Sequence, residues 1–344
     1  MQAGQAGHDN AGVTVGPATA RDGDGGLSLD WSPPFRVDVR LALLVHRRGS
    51  RDPTLRIDEQ GAIWRTSLTP DGPATLRLTA TGGSPAGRRA GQNSAGASGS
   101  GTVISASAWG EGAAWLLAAV PDLLGAADQP ASFRPAHPRL ADLARRFPGL
   151  RLGRTDRVLE ALVPAVLEQK VVGVEARRAW RRLLTWFGSP APGPAPTGMR
   201  VFPSVATWQA IPSWDWHRAG VEPIRARTIA AAASVAGPLE RICSLPAADA
   251  DIRLRSVPGV GLWTSAEVRQ RACGDPDAIS IGDYHIPALV GWTLTGEPTD
   301  DAGMLRLLAP CAGQRYRATR LIELGGTLPP RRGPKLGARD YRAL

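Results

Sequence analysis

The sequence predicts an α+β protein: a β-rich N-terminal domain, an antiparallel sheet with a helix, followed by an all-α domain. Three observations lead there. Between residues 35 and 109, short stretches of alternating apolar and polar residues are separated by Gln-Gly or Asp-Gly turns, the period-two signature of half-buried strands. From about residue 126 the apolar spacing changes to three and four, as in amphipathic helices. The stretch from Leu254 to Ala266, LRSVPGVGLWTSA, reads as a helix, a tight glycine turn and a second helix. With 344 residues the chain can bury two cores.

Residues 1–34 are rich in Gly, Ala, Asp and Pro and are expected to be a disordered leader. The N-terminal domain is expected over 35–125. Its strands are expected at Phe35–Leu41, Leu55–Ile57, Ala62–Thr66, Ala74–Thr79 and from Thr102, with a helix from Ala113 ending near Gly125. Residues 82–101 are low in complexity and read as a flexible insertion. The helical domain is expected over 126–328. Its first helix runs from Leu140 to Phe147, stopped by Pro148-Gly149. Val158–Phe187 is periodic throughout but contains Pro164, so it is either one kinked helix or two. A Pro/Gly loop covers Ser189–Gly198. Further helices are expected at Ser204–Ala210, Glu222–Ala236, Ala247–Arg255, Leu262–Ala272, Tyr284–Leu294, Asp301–Leu308 and Tyr316–Leu324, before a basic tail at 329–344.

The hydrophobic share of 43% and charged share of 21% suit a globular protein. No apolar run has transmembrane length and the N-terminus lacks a signal-peptide pattern, so a cytoplasmic protein with no membrane partner is expected. Cys243, Cys273 and Cys311 fit no zinc or iron–sulfur spacing. They are expected to be three reduced, packed thiols, with no metal and no cofactor. A formal charge of +10 and a pI of about 10.7 point towards a polyanionic partner. All but two of the 41 basic residues are arginine, leaving Lys170 and Lys335 as the only side-chain amines. Arg315, Arg317, Arg320 and the basic tail are either a solvated face or phosphate contacts.

The glycine turn carries the first chemical reading. Gly259 and Gly261 permit backbone angles that a side chain forbids and leave room for a phosphate. The turn also leads into a helix N-terminus, whose unpaired N–H groups favour an anion. Val257, Pro258, Gly259, Val260, Gly261 and Thr264 are therefore the expected contacts to a DNA backbone, without base preference. Gly282-Asp283-Tyr284 follows. Asp283 suits a helix N-cap, with Pro287 in the first turn, and it also suits a catalytic acid; the two roles do not exclude each other.

Over about residues 135–325 the chain resembles the helix–hairpin–helix DNA glycosylase superfamily, and within it the DNA-3-methyladenine glycosylase II branch. The resemblance is carried by Gly149–Leu152, Val158–Val171, Val201–Val205, Ala219–Ile229 and the hairpin through Asp283-Tyr284. It implies that Asp283 is the catalytic aspartate. Bifunctional members carry a lysine two residues after the last hairpin glycine; here that position is Trp263. Lys170 and Lys335 are distant in sequence, so Schiff-base chemistry and strand cleavage are not expected. Trp263 and Tyr284 are the implied base-pocket aromatics. Gln169 and Trp216 are further pocket candidates, while Trp214, Trp216, Trp180 and Trp186 suit core packing as well. His285 is not expected to form a dyad with Asp283, because neighbours on a helix do not face each other. The implied activity is a monofunctional glycosylase that flips an alkylated purine of the 3-methyladenine type out of damaged double-stranded DNA and leaves an abasic site, acting as a monomer. A helix–hairpin–helix glycosylase for another purine lesion, or a non-catalytic damaged-DNA-binding protein, would use the same residues.

Overall fold

In a computed structural model the described residues are 19–21, 25–81 and 101–328. The expected basic tail and all but the last residue of the expected insertion lie outside them. Six antiparallel strands form one sheet: β1 (Thr19–Arg21), β2 (Leu27–Trp31), β3 (Leu55–Ile57), β4 (Ile63–Thr69), β5 (Gly72–Thr81) and β6 (Val103–Trp109), in the order β1-β2-β6-β5-β4-β3. The alternation is what buries one face. Leu29 and Trp31 of β2, Ala74, Leu76 and Leu78 of β5, and Ile104, Ala106 and Ala108 of β6 point into a core closed by two short helices, α2 (Ala113–Ala118) and α3 (Val120–Leu123).

Two expectations for this half are corrected. The sheet begins inside the stretch read as a disordered leader, where Leu27, Leu29 and Trp31 recur every second residue and β2 pairs with β6, Leu29 opposite Ala106. The composition of residues 1–34 as a whole hides that local alternation. Phe35–Leu41 is not a strand. Asp38 accepts hydrogen bonds from the backbone N–H groups of Arg40 and Leu41 at 2.9 and 3.1 Å and starts helix α1 (Val39–Leu43) instead.

The helical half runs α4 (Pro138–Arg146), α5 (Val158–Leu167), α6 (Gly173–Phe187), α7 (Val205–Ala210), α8 (Ser213–Ala219), α9 (Pro223–Ser234), α10 (Ala236–Glu240), α11 (Ala247–Arg255), α12 (Leu262–Val268), α13 (Ile286–Leu294), α14 (Asp301–Leu308) and α15 (Arg315–Gly325). The long periodic segment is two helices, but Pro164 lies inside α5. The break falls at residues 168–172, where Lys170 takes φ 52°. Every residue of α5 except Glu160 is buried, which makes it the central helix of the domain. Glu160 turns outward to the sheet. It accepts from Arg65 Nη2 at 2.9 Å, Ser67 Oγ at 2.8 Å and the Leu68 backbone at 2.7 Å, all on β4.

The helices form two cores. One gathers α5 to α12; the other gathers α4 with α13, α14 and α15. The hairpin belongs to the first and Asp283 to the edge of the second, so the two meet where the cores adjoin. Cys243 and Cys273 form a disulfide, correcting the expectation of three free thiols; Cys311 remains free and buried. The bridge joins the turn before α11 to the end of the π-helical extension of α12 (Arg269–Cys273) and so encloses the whole helix–hairpin–helix. Among the described residues no helix is long and apolar enough to cross a membrane.

Candidate active site

The hairpin between α11 and α12 is fastened from behind and open in front. Val257 and Val260 are buried in the core, while Pro258, Gly259 and Gly261 are exposed. Gly259 has φ +89°, and a Cβ there would lie 2.0 Å from Thr228 Oγ1 on α9. Only glycine satisfies both conditions. Gly261 is extended, with open space within 4 Å of where a Cβ would stand, and its carbonyl accepts from Ser265 N at 2.9 Å as α12 begins. The N–H groups of Leu262, Trp263 and Thr264 therefore precede the first intrahelical bond of α12.

Gln169 sits behind this turn. Its Nε2 donates to Gly259 O at 2.9 Å and to Thr264 Oγ1 at 2.8 Å, pinning hairpin and helix together. Thr264 is 2% exposed, so its side chain serves this clamp and not the surface. The clamp also brings Lys170, the next residue, to the turn beside the hairpin, although about ninety positions separate them in sequence. Lys170 is exposed and is the only lysine among the described residues.

Trp263 and Asp283 are joined directly. The indole Nε1 of Trp263 donates to Asp283 Oδ2 at 3.0 Å. Asp283 Oδ1 accepts from the backbone N–H groups of His285 and Ile286 at 2.8 and 2.9 Å, so the carboxylate ties the turn into α13 with one oxygen and meets Trp263 with the other, while the N-cap position itself is His285, two residues later than expected. The turn that carries it contains Gly282 at φ +88°, whose N–H donates to the Asp301 carboxylate at the start of α14.

Other pocket candidates fall elsewhere. Tyr284 is 82% exposed and stands edge-on to the exposed ring of His285, so it does not line an enclosed pocket in this structure. Trp216 is 6% exposed and stacks on Trp208 in the α5–α12 core, the packing role that its sequence also suited. Trp180 is buried and donates to Asp52 Oδ1 at 3.0 Å, whereas Trp186, which also suited the core, is at the surface under Arg218. Arg315, Arg317 and Arg320 all have acidic partners, Asp277, Asp128 and Glu323, and Arg317 is itself buried.

A buried polar group beneath the site was missed by sequence reading. Glu267, one helical turn past Trp263, accepts from Ser280 Oγ at 2.7 Å and from Arg271 Nη1 at 2.7 Å. Gln270 Nε2 donates to Ser280 Oγ at 2.9 Å and Ala278 O at 3.0 Å. Burial is the largest single influence on Arg271 and opposes its charge, but Glu267, Tyr316, Glu168 and Glu323 together outweigh it and the guanidinium pKa ends above its usual value. The available signal was the spacing 263, 267, 271, which puts the three on one helix face.

No protein-family profile matches the chain. It is 34% identical over 152 residues to proteins named "Probable bifunctional transcriptional activator/DNA repair enzyme AlkA" from two strains of Mycobacterium tuberculosis. The match covers 43% of this chain and 30% of theirs, less than a third of the relatives' length. Among solved structures, the fold matches a 3-methyladenine DNA-glycosylase from Archaeoglobus fulgidus with a TM-score of 0.66 and 17% identity, covering 86% of this chain and 97% of that one. It also matches an 8-oxoguanine glycosylase/lyase from Clostridium acetobutylicum with a TM-score of 0.60 and 12% identity, covering 86% and 95%. At these identities the structural matches speak for the fold, sheet and helices alike, and the AlkA segment adds the sequence. On both, the chain has the fold of helix–hairpin–helix DNA glycosylases and over 152 residues is similar in sequence to the AlkA proteins.

Proposed function

We propose that this chain is a monofunctional DNA glycosylase that excises alkylated purines of the 3-methyladenine type from double-stranded DNA. The observation that carries the reading is the Trp263–Asp283 pair beside the hairpin: an acid is present and the neighbouring position holds an indole, not an amine. Breaking the N-glycosidic bond builds positive charge on the deoxyribose. A carboxylate near C1′ stabilises that charge and orients or deprotonates the attacking water, leaving an abasic sugar and the free base. An alkylated purine is already cationic and leaves without strong acid assistance. The flipped base would stack on Trp263, a contact worth about 0.5–2 kcal/mol for a cation on an aromatic face.

The exposed edge of Pro258, Gly259 and Gly261, with the free N–H groups at the start of α12, would hold one backbone phosphate. In this reading Val257 and Val260 anchor the clip, and Gln169 and Thr264 brace it from behind. Because the fold is shared with 8-oxoguanine enzymes, excision of another purine lesion is the second reading, and a panel of lesion duplexes separates the two.

The deciding variant is Asp283→Asn, assayed for base release from alkylated duplex under single turnover. The expected loss is about 100-fold or more. A folded variant with wild-type excision overturns the mechanism. Borohydride treatment of the wild-type reaction is expected to trap no covalent adduct; an abundant adduct overturns the monofunctional part and directs attention to Lys170.

A further inference from the structure

Asp283 lies on a turn with a left-handed glycine at its centre, and Trp263 lies on a rigid helix. Their 3.0 Å contact therefore depends on how the turn is registered against α12. Ser280 sets that register. Its carbonyl accepts the Asp283 N–H at 3.2 Å, and its hydroxyl both donates to Glu267 and accepts from Gln270 on α12 and its π-helical extension. Glu267 in turn meets Arg271 Nη1, and Arg271 Nε reaches across the domain boundary to the carbonyl of Val45 at 3.3 Å. Val45 follows α1, the helix capped by Asp38. The chain of contacts thus runs from the N-terminal domain through Arg271, Glu267 and Ser280 to Asp283.

These groups are buried, with Ser280 at 2%, Glu267 at 6% and Gln270 at 6% exposure, and their bonds are made with one another. A hydroxyl that donates to a buried carboxylate and accepts from a buried amide has both its direction and its position fixed. The π-helical run Arg269–Cys273 is a local departure of the kind that concentrates at functional sites. Here it carries Gln270 and Arg271, the two residues that reach Ser280 and Val45.

We propose that Arg271, Glu267 and Ser280 are positioning residues that hold the Asp283 carboxylate at its working distance from Trp263, and that through them the N-terminal domain takes part in the reaction. The proposal rests on the reading of Asp283 as the catalytic acid. None of the three touches DNA or the reacting atoms; they act by fixing the turn. A misplacement of about 1 Å in a catalytic group costs on the order of 100-fold in rate, which gives such a tether a measurable effect.

The test compares Ser280→Ala, Ser280→Thr and Glu267→Gln in the full chain. Amide hydrogen exchange is followed at Asp283, His285 and Ile286, and single-turnover base release and affinity for abasic duplex are measured in parallel. In Ser280→Ala, exchange at those amides is expected to rise about 10-fold or more. The excision constant is expected to fall about 10- to 100-fold while DNA affinity stays within about twofold. Ser280→Thr, which keeps the hydroxyl, should recover most of both. Glu267→Gln, which keeps an acceptor but loses the Arg271 ion pair, should fall between, and it stands in for Ser280→Ala if that protein does not fold. Unchanged exchange at the three amides, or wild-type excision in both Ser280→Ala and Glu267→Gln, overturns the proposal. A wild-type protein that releases no base from any lesion duplex overturns the glycosylase reading instead, and hydrogen exchange then decides the tether alone.

Discussion

Trp263 places a donor 3.0 Å from Asp283 Oδ2, at the position where the sequence resemblance implies a lysine in bifunctional glycosylases. An indole N–H donates and cannot accept, so the contact orients the carboxylate without competing for a proton. Hydrogen bonds to a charged group contribute about 1.5–3 kcal/mol. The same geometry makes a gain-of-function prediction. Trp263→Lys would put an ε-amine next to the acid, and borohydride should then trap that variant on abasic duplex where the wild type gives nothing. Failure of a folded Trp263→Lys to trap would mean that residue 263 does not face the sugar. The pair was legible in sequence because hairpin and acid are short motifs at a set spacing. Tyr284 and Trp216 were not. With Asp283 turned towards α12, its neighbour is directed away from it and stands 82% exposed. Trp216 differs from a pocket aromatic only by where α8 docks, and composition carries no such information.

At the scale of elements, the hairpin separates two roles that glycine plays. Gly259 is required by the protein itself: its φ is +89° and a Cβ would collide with Thr228 Oγ1. Left-handed backbone costs a non-glycine residue about 1–2 kcal/mol before the collision is counted. Gly259→Ala should therefore lower stability by about 2 kcal/mol or more in denaturant unfolding. Adding Thr228→Ala should recover the steric part and leave the backbone part. Gly261 is extended and meets nothing within 4 Å, so Gly261→Ala should leave folding unchanged. If it weakens binding to duplex DNA, the space in front of the hairpin belongs to the DNA; if affinity is unchanged, the phosphate does not approach there. The existence of both helices and their turn was legible. The Cys243–Cys273 bridge around them was not, because a 30-residue separation matches no spacing rule and pairing depends on how the ends of the unit pack.

At the scale of the molecule, the two domains meet along a polar seam that sequence patterning cannot show, since each partner lies far from the other in the chain. Arg48 pairs with Glu168, Arg65 with Glu160, and Arg271 reaches Val45. His46 lies in this seam with its Nε2 shielded from water and unpartnered. The seam encloses a small cavity bordered by His46, Arg48, Arg65, Glu160 and Arg271, which includes neither Trp263 nor Asp283. Burial first, and then the charges of Arg65, Arg271 and Arg48, hold the His46 pKa well below 6.5. The unfolded chain therefore takes up the His46 proton at a higher pH than the folded protein does. Its contribution to stability is complete above about pH 6.5 and declines as pH falls from there towards the folded pKa, by at most about 1.4 kcal/mol per pH unit. Asp156 and Glu240 work in the opposite sense, because burial raises their pKa values and folding then favours their protonated forms. The comparison that isolates the histidine is wild type against His46→Gln, unfolded with denaturant at pH 7.5, 6.5 and 5.5. The wild type should lose stability relative to the variant across that range, and parallel curves would show that the seam accepts a charged His46.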